Sequence, residues 1–480
     1  MHKEFTVAFD QKTQEVLADH LIRQDYEEDL CFALWNPSAG ATRLTALLDE
    51  VVLPHYGERQ RHGNVSFNKQ YFERVCQVAL EKNKGIAFIH SHPGSGWQGM
   101  SADDVAAEKK LAGASLGLTE LPLVGLTVSH DNVWSARFWH SAGSRTYERT
   151  WCRAVRCVSE QLTVDFASCV VPKPRYSEMF KRTVSVWGED NHATLARLRI
   201  GIVGLGSVGS FIAETLARSG FENVILIDFD EVQRHNLDRI VFGSRGDIGK
   251  LKVNVAKKRM AEVATAYEIN IESVPYSVAE EAGYLAALDC DVLFSCVDRP
   301  RARQILNHFA YAHLIPVIEG AIAVRFKNNK FSGVDWQLQT IGPGRPCMEC
   351  LGCFAPGDVS TEVAGMLDDP SYLKGLGPEH HLKRGENIFA FSENLASLEF
   401  FHLVALATGI GGLADFGVQR FRYIPGLIDL IEASVCKPEC HAPTLLATGD
   451  RYFNLIGRDS TAEKARARQT TFSDRKTVVA

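Results

Sequence analysis

A chain of 480 residues is too long for one compact core, and at the usual ~100–200 residues per domain it predicts two or three domains. Its 45% hydrophobic, 9% aromatic and 23% charged residues exclude the collagen-like, disordered and small disulfide-scaffold classes. The net charge of -6 supplies no overall attraction to nucleic acid, and none is expected as a partner.

At the N-terminus, Met1-His2-Lys3-Glu4-Phe5 lacks the basic and then apolar pattern of a secretory signal, which points to a cytoplasmic protein. An apolar run over 30–34 predicts a buried strand, 67–82 has helical spacing, and Gly85-Ile86-Ala87-Phe88-Ile89 predicts a second strand. A helix is expected after Ser101, and 121–128 and 134–139 read as closing strands. Residues 1–145 are thus expected to form an α/β unit whose sheet order is not readable. The stretch 146–174, with its Arg and Cys residues and Pro172-Lys173-Pro174, suits a linker.

From 175 the pattern becomes alternating strand and helix: Arg199-Ile200-Gly201-Ile202-Val203, a helix over 207–218, Val224-Ile225-Leu226-Ile227-Asp228, then Val292-Leu293-Phe294-Ser295. Such alternation predicts a Rossmann-like, doubly wound parallel sheet over 175–456. The apolar run over 398–413 contains Glu399 and His402 and leaves about a dozen uncharged residues before Asp415, too few to span a bilayer. No membrane partner is expected. The polar segment 457–480 reads as a flexible tail without an address signal, and no internal repeat is present.

His90-Ser91-His92-Pro93 directly follows a predicted strand, and after seven further residues comes Ser101-Ala102-Asp103-Asp104. Alternate residues at a strand end project to one side, so His90 and His92 can offer imidazole nitrogens to one ion. Asp104, one turn into the next helix, adds a carboxylate. Three such ligands leave a fourth tetrahedral position open, as in catalytic rather than structural zinc sites. Paired histidines near a strand end are commonly core or surface residues; the Pro, Ser and Asp at fixed spacing favour the metal. His-x-His-Pro, seven residues, then Ser-x-x-Asp resembles the JAB/JAMM metalloprotease family over residues 1–145. The resemblance implies a JAB/MPN α/β zinc metalloprotease in which Ser101 polarises the scissile carbonyl and an upstream glutamate is general base. Glu28 has the best offset for that base, with Glu27 its rival.

Gly204-Leu205-Gly206-Ser207-Val208-Gly209 follows a predicted strand and opens a helix, where glycines let phosphates approach backbone N–H groups at a positive helix end. Nineteen residues past Gly209, Asp228 ends the next strand, placed for ribose hydroxyls. Alone, this suggests a dinucleotide. Asp230, Asn236, Arg239, Lys252 and Asp298 come next, however, and cations with extra carboxylates suit triphosphate chemistry rather than hydride transfer. The order resembles the ubiquitin-activating family that includes the ThiF and MoeB adenylyltransferases, over 175–456. By that resemblance the glycines and Asp228 bind ATP, Asn236, Arg239 and Lys252 contact phosphates, Asp298 binds magnesium, and Asp230 supports the cluster. The segment from Arg182 to Trp187-Gly188 resembles the family's Arg-Gln-x-x-x-Trp-Gly, with Thr183 in place of Gln. The family's arginine often reaches phosphates across a dimer, so a homodimer is expected.

The twelve cysteines, with no export signal, suggest reduced thiols, metal ligands or nucleophiles rather than a disulfide framework. Cys347-Met348-Glu349-Cys350 and Cys436-Lys437-Pro438-Glu439-Cys440 form two pairs with 85 residues between them, a pattern for closed structural zinc. Cys353 is left over as a zinc alternate, a buried thiol or a thioester nucleophile; Ser360 and Thr361 are oxyester candidates or simple caps. The expected function is bifunctional. A metalloprotease cleaves peptide or isopeptide bonds after a ubiquitin-like protein, and the second domain adenylates that protein's C-terminal glycine with MgATP for a conjugating enzyme. Sulfur-carrier activation is the alternative, and a scaffold with dead sites a third reading.

Overall fold

Leu30, Phe32 and Leu34 alternate with Cys31, Ala33 and Trp35, and all six are buried, so the strand they form must be covered on both faces. The computed structural model describes residues 4–62, 64–143, 145–327, 330–368, 387–410, 417–431, 435–451 and 455–477. The apolar run's 411–413 and the final Val478-Val479-Ala480 lie outside them. The chain divides into two units.

The first unit holds Met1–Lys173 with Ala312–Leu314 and Leu445–Phe453. Its strands are β1 (Glu4–Asp10), β2 (Leu30–Ala39), β3 (Arg43–Val52), β4 (Arg59–His62), β5 (Asn64–Phe67), β6 (Gly85–His92), β7 (Leu123–Ser129), β8 (Trp134–Gly143), β9 (Thr146–Trp151), β10 (Ala154–Val158) and β11 (Leu162–Phe166). Nine of them make one mixed sheet in the order β11-β10-β1-β3-β2-β6-β7-β8-β9, while β4 and β5 pair separately. On one face Phe9, Ala33, Trp35 and Phe138 pack against Leu17 and Leu21 of the helix Gln11–Leu21. On the other, Leu30, Phe32, Ile86 and Phe88 pack against Tyr71, Val75 and Leu111 of the helices Lys69–Lys82 and Ala102–Thr119. Each large side chain buried this way contributes about 1.5–3 kcal/mol. Along β6 the even-numbered residues face this second layer, and the same parity carries His90 and His92 to the side of the helix Ala102–Thr119.

The linker expected over 146–174 is corrected by β9, β10 and β11. Residues Ala154–Val158 are buried throughout and pair with β1. Arg153 and Arg156, both buried, interrupt the apolar pattern by which a strand is read, and Cys152 and Cys157 pack as small apolar groups.

The second unit holds Pro174–Tyr311, Ile315–Thr444 and Asn454–Ala480. It contains β12 (Arg199–Val203), β13 (Asn223–Ile227), β14 (Asn270–Val274), β15 (Val292–Ser295), β16 (Val317–Lys327), β17 (Lys330–Ile341), β18 (Val418–Arg422) and β19 (Leu427–Ile431). The sheet order is β14-β13-β12-β15-β16-β17-β18-β19. Parallel pairing runs from β14 to β16 and antiparallel pairing from β16 to β19. The chain leaves β12 toward β13 and later returns to β15 on the other side, which sets a switch point between β12 and β15, where ligands of open α/β sheets bind. The apolar run becomes the helix Phe389–Thr408, whose Glu399 and His402 are buried. No described helix is long and apolar enough to cross a membrane. The tail expected to be flexible forms the helix Ser460–Thr477, and its Arg466 Nη1 donates to Glu280 Oε2 at 2.8 Å.

Candidate metal centres and nucleotide site

The ligand atoms of His90, His92 and Asp104 lie within 4.8 Å of one another. His90 Nε2 is 3.2 Å from His92 Nε2 and 3.4 Å from Asp104 Oδ1, and His92 Nε2 is 3.4 Å from Asp104 Oδ2. Two imidazoles and a carboxylate converging on one point are a donor set for zinc or a similar divalent ion, and they fit it. Burial raises the Asp104 carboxyl, but hydrogen bonds from His90 and His92 outweigh it and hold the group well below the usual carboxylate range. The bond to Asp104 raises His92, whereas burial lowers His90.

Ser101 is the N-cap of the helix Ala102–Thr119. Asp104 N–H donates to its Oγ at 3.1 Å, and Ser101 N–H donates to Asp104 Oδ2 at 2.7 Å. The Ser-x-x-Asp spacing is therefore also a capping box, and it fixes the carboxylate beside the histidines. Glu28 is placed by register. Leu30 pairs with His90, and Ser91 N–H donates to the Asp29 carbonyl at 2.9 Å, so the next step sets Glu28 opposite His92 on the same face. Glu28 also acts on His92 electrostatically. Glu27 is exposed and borders a small cleft with Tyr26, His92 and His130, but its parity is opposite.

In the second unit Gly204 takes φ +93°, and Gly209 packs so closely that a Cβ there would stand 2.0 Å from the Gly204 carbonyl oxygen. At Gly206 a Cβ would meet nothing within 4 Å, so the turn is open on that side. Asp228 Oδ2 accepts from Leu205 N–H at 2.6 Å and its Oδ1 from Asp230 N–H at 2.7 Å, tying the glycine turn to the end of β13. Lys252 Nζ donates to Asp230 Oδ2 at 2.8 Å and stands 3.9 Å from Asp228 Oδ2. Burial disfavours the ammonium, but Asp228, Asp230 and Asp298 outweigh it and raise Lys252. Burial likewise raises Asp228, with Lys252 opposing.

The glycine turn, Asp228, Asp230, Lys252 and Asp298 are thus gathered at the switch point. Asn236 and Arg239 follow in the segment after β13, each with a local partner. Asn236 Oδ1 accepts from Gln233 N–H at 2.9 Å, and Arg239 Nη1 donates to Asp238 Oδ1 at 3.0 Å. Arg182 is exposed on the helix Lys181–Trp187, and among the described residues no contact joins it to the cluster. Sequence reading missed Arg303, whose Nε donates to the buried Glu319 at 2.8 Å and which feels Asp298. No local pattern marks it.

The sequence model of the ThiF family matches residues 180–383. Molybdopterin-synthase adenylyltransferase of Escherichia coli is 31% identical over 181 residues, which cover 37% of this chain and 68% of that protein. The chain belongs to the ThiF family. The SAMP-activating enzyme E1 of Haloferax volcanii is 30% identical over 38% of this chain and 65% of that enzyme. Ubiquitin-like modifier-activating enzyme 5 of Bombyx mori is 29% identical over 36% of this chain and 44% of that enzyme. The chain thus spans 44% to 68% of the length of these three relatives. Among solved structures, Escherichia coli MccB with ATP aligns with a TM-score of 0.42 at 17% identity, over 56% of this chain and 74% of that one.

In this ThiF-family chain Cys347, Cys350, Cys436 and Cys440 also bring their sulfurs within 4.8 Å. Cys347 Sγ is 3.5 Å from Cys440 Sγ, and backbone N–H groups of Cys347 and Lys437 donate to the sulfurs of Cys436 and Cys350 at 3.2 and 3.4 Å. Sulfurs that accept backbone hydrogen bonds suit thiolates, and four form a closed tetrahedral set. Cys440→Ser should therefore lose one metal equivalent by native mass spectrometry and on the order of several kcal/mol of metal-linked stability, read as a lower melting temperature that chelator lowers by less than it does in the parent.

Cys353 lies outside this set. Gln339 Nε2 donates to its sulfur at 3.2 Å, and burial, with Glu319, pushes the thiol up to about 12, away from the thiolate a nucleophile needs. Ser360 Oγ and Thr361 Oγ1 donate back to the carbonyls of Pro356 and Gly357 at 3.0 and 2.8 Å, as helix hydroxyls do.

Proposed function

We propose that this ThiF-family chain is a bifunctional enzyme acting on the C-terminus of a ubiquitin-like protein. The observation that carries the reading is Lys252 set among Asp228, Asp230 and Asp298 beside an open glycine turn. In that arrangement the turn and Lys252 bind ATP phosphates, Asp228 binds the ribose and Asp298 holds magnesium. The C-terminal carboxylate of the partner attacks the α-phosphorus, the bond to the β-phosphate breaks, and pyrophosphate leaves. The names of its relatives, an adenylyltransferase and two activating enzymes, support this chemistry.

In the first unit, resembling the JAB/JAMM metalloproteases, His90, His92 and Asp104 would hold zinc, which supplies Lewis acidity. Glu28 takes the proton from the attacking water, and Ser101 presents its hydroxyl to the scissile carbonyl. One extended tail could serve both sites by adding to a sheet edge. The four cysteines would hold a structural zinc ion. A homodimer with Arg182 acting in trans, and transfer to a conjugating enzyme, belong to the same reading. Burial of Cys353 favours a second account of the step after adenylation, in which the adenylate passes directly to an external acceptor, as in sulfur-carrier activation.

Incubation with MgATP and a ubiquitin-like protein ending in glycine tests the proposal. Pyrophosphate exchange that requires the glycine carboxylate is expected, with intact mass showing adenylate and no thiol-labile adduct on the enzyme. Absence of exchange with any such protein would refute activation, and an adduct at Cys353 would refute the direct transfer.

A further inference from the structure

A nucleotide with its phosphates at the glycine turn after β12 and its ribose at Asp228 after β13 points its base outward, toward the carboxyl end of β14. Asp228 N–H donates to the Val274 carbonyl at 3.2 Å, which sets the ribose position beside the loop that leaves β14. Residues 457–469 return to this loop. Gly457 N–H donates to the Ala279 carbonyl at 2.8 Å. On the helix Ser460–Thr477, Arg466 Nη1 donates to Glu280 Oε2 at 2.8 Å, its Nη2 donates to Glu280 Oε1, and its guanidinium stands 4.9 Å from the centre of the Tyr276 ring.

The neighbouring strand ends are engaged too. Arg301, in the helix that starts just after Asp298, donates from Nη1 to the Arg458 carbonyl at 2.6 Å. Arg468 acts electrostatically on Glu231, which follows Asp230. Segments leaving the carboxyl ends of β13, β14 and β15 are thus all met by this one stretch of chain. Over 460–469 only Ala462 is fully buried, so apolar burial does little to hold the helix down. A guanidinium that is bidentate on a carboxylate and lies over an aromatic ring does more. Ala462, Arg466 and Gln469 recur at i, i+4 and i+7 on one face. Gln469 Nε2 is buried without a partner among the described residues, which leaves a donor on that face unspent.

We propose that residues 457–469 form a lid on the base side of the nucleotide site, anchored by the Arg466–Glu280 pair, and that docking of this helix and binding of ATP support each other. Its ligand is the adenine end of the nucleotide, and the phosphates lie beyond its reach. A helix held by polar contacts opens at low cost, and a ligand that favours the closed form holds it shut. The inference rests on reading the glycine turn, Asp228 and Lys252 as an ATP site.

Arg466→Glu in the full-length chain sets like charges at the anchor and should release the helix, read as faster amide exchange over 457–469. Calorimetric titration with MgATP and with magnesium tripolyphosphate, which has no base, separates the two ends of the site. ATP affinity should fall about 10-fold and tripolyphosphate affinity stay within about twofold. Combining Glu280→Arg with Arg466→Glu should restore both exchange protection and ATP affinity. A released helix with parental ATP affinity, or equal losses for ATP and tripolyphosphate, overturns the lid. Tighter ATP binding on release also overturns it, because the helix would then compete with the nucleotide. Unchanged exchange in Arg466→Glu removes the pair as the anchor. Failure of the parent chain to bind ATP removes the nucleotide site itself, whereas normal parental binding with any of the other failures removes only the lid.

Discussion

On the proposed function, Asp104→Asn is expected to abolish cleavage of a ubiquitin-like protein fused to a short peptide, by on the order of 10³-fold or more, and to leave ATP–pyrophosphate exchange within about twofold. Asparagine is chosen because its oxygen can still accept from Ser101 N–H, so the helix start survives while the ligand charge is lost. The hydrogen bond that raises His92 also weakens, which returns that imidazole toward its ordinary range. Peptide release by mass spectrometry, with metal content measured on the same sample, reads the result. Undiminished cleavage would remove Asp104 from the chemistry. Loss of both activities would mean that the two units depend on each other.

The reciprocal variant is Asp298→Ala. Pyrophosphate exchange should fall on the order of 10²–10³-fold, the usual loss when one preorganised charge at a phosphoryl site is deleted, while peptide cleavage is spared. Asp298 is exposed, and Lys252 keeps Asp228 and Asp230, so unfolding free energy should stay within about 0.5 kcal/mol. Exchange at the parental rate would show that another group holds the magnesium.

The parts of both sites that depend on short-range geometry were legible in the sequence. Strand parity carried His90 and His92 to one side, the Ser-x-x-Asp spacing located a helix start, and the glycine pattern located a strand-to-helix turn. Charges whose partners are distant were not. Glu108, on a helix, and Arg137, on a strand, look like surface residues until the sheet closes over them. Gly125 was the one local hint, since a glycine in an apolar strand signals something pressed against it. For the same reason β10 was hidden: arginines buried in the fold look like linker charge when read alone.

The Ser101 and Asp104 pairing has a consequence for motion. One carboxylate both terminates a helix and borders the ligand cluster, so fraying of the first helical turn and disassembly of the centre are one event. A bound ion would then act as a brace, slowing amide exchange at that turn, and escape of the ion would be gated by the opening of the helix rather than by the ligands alone.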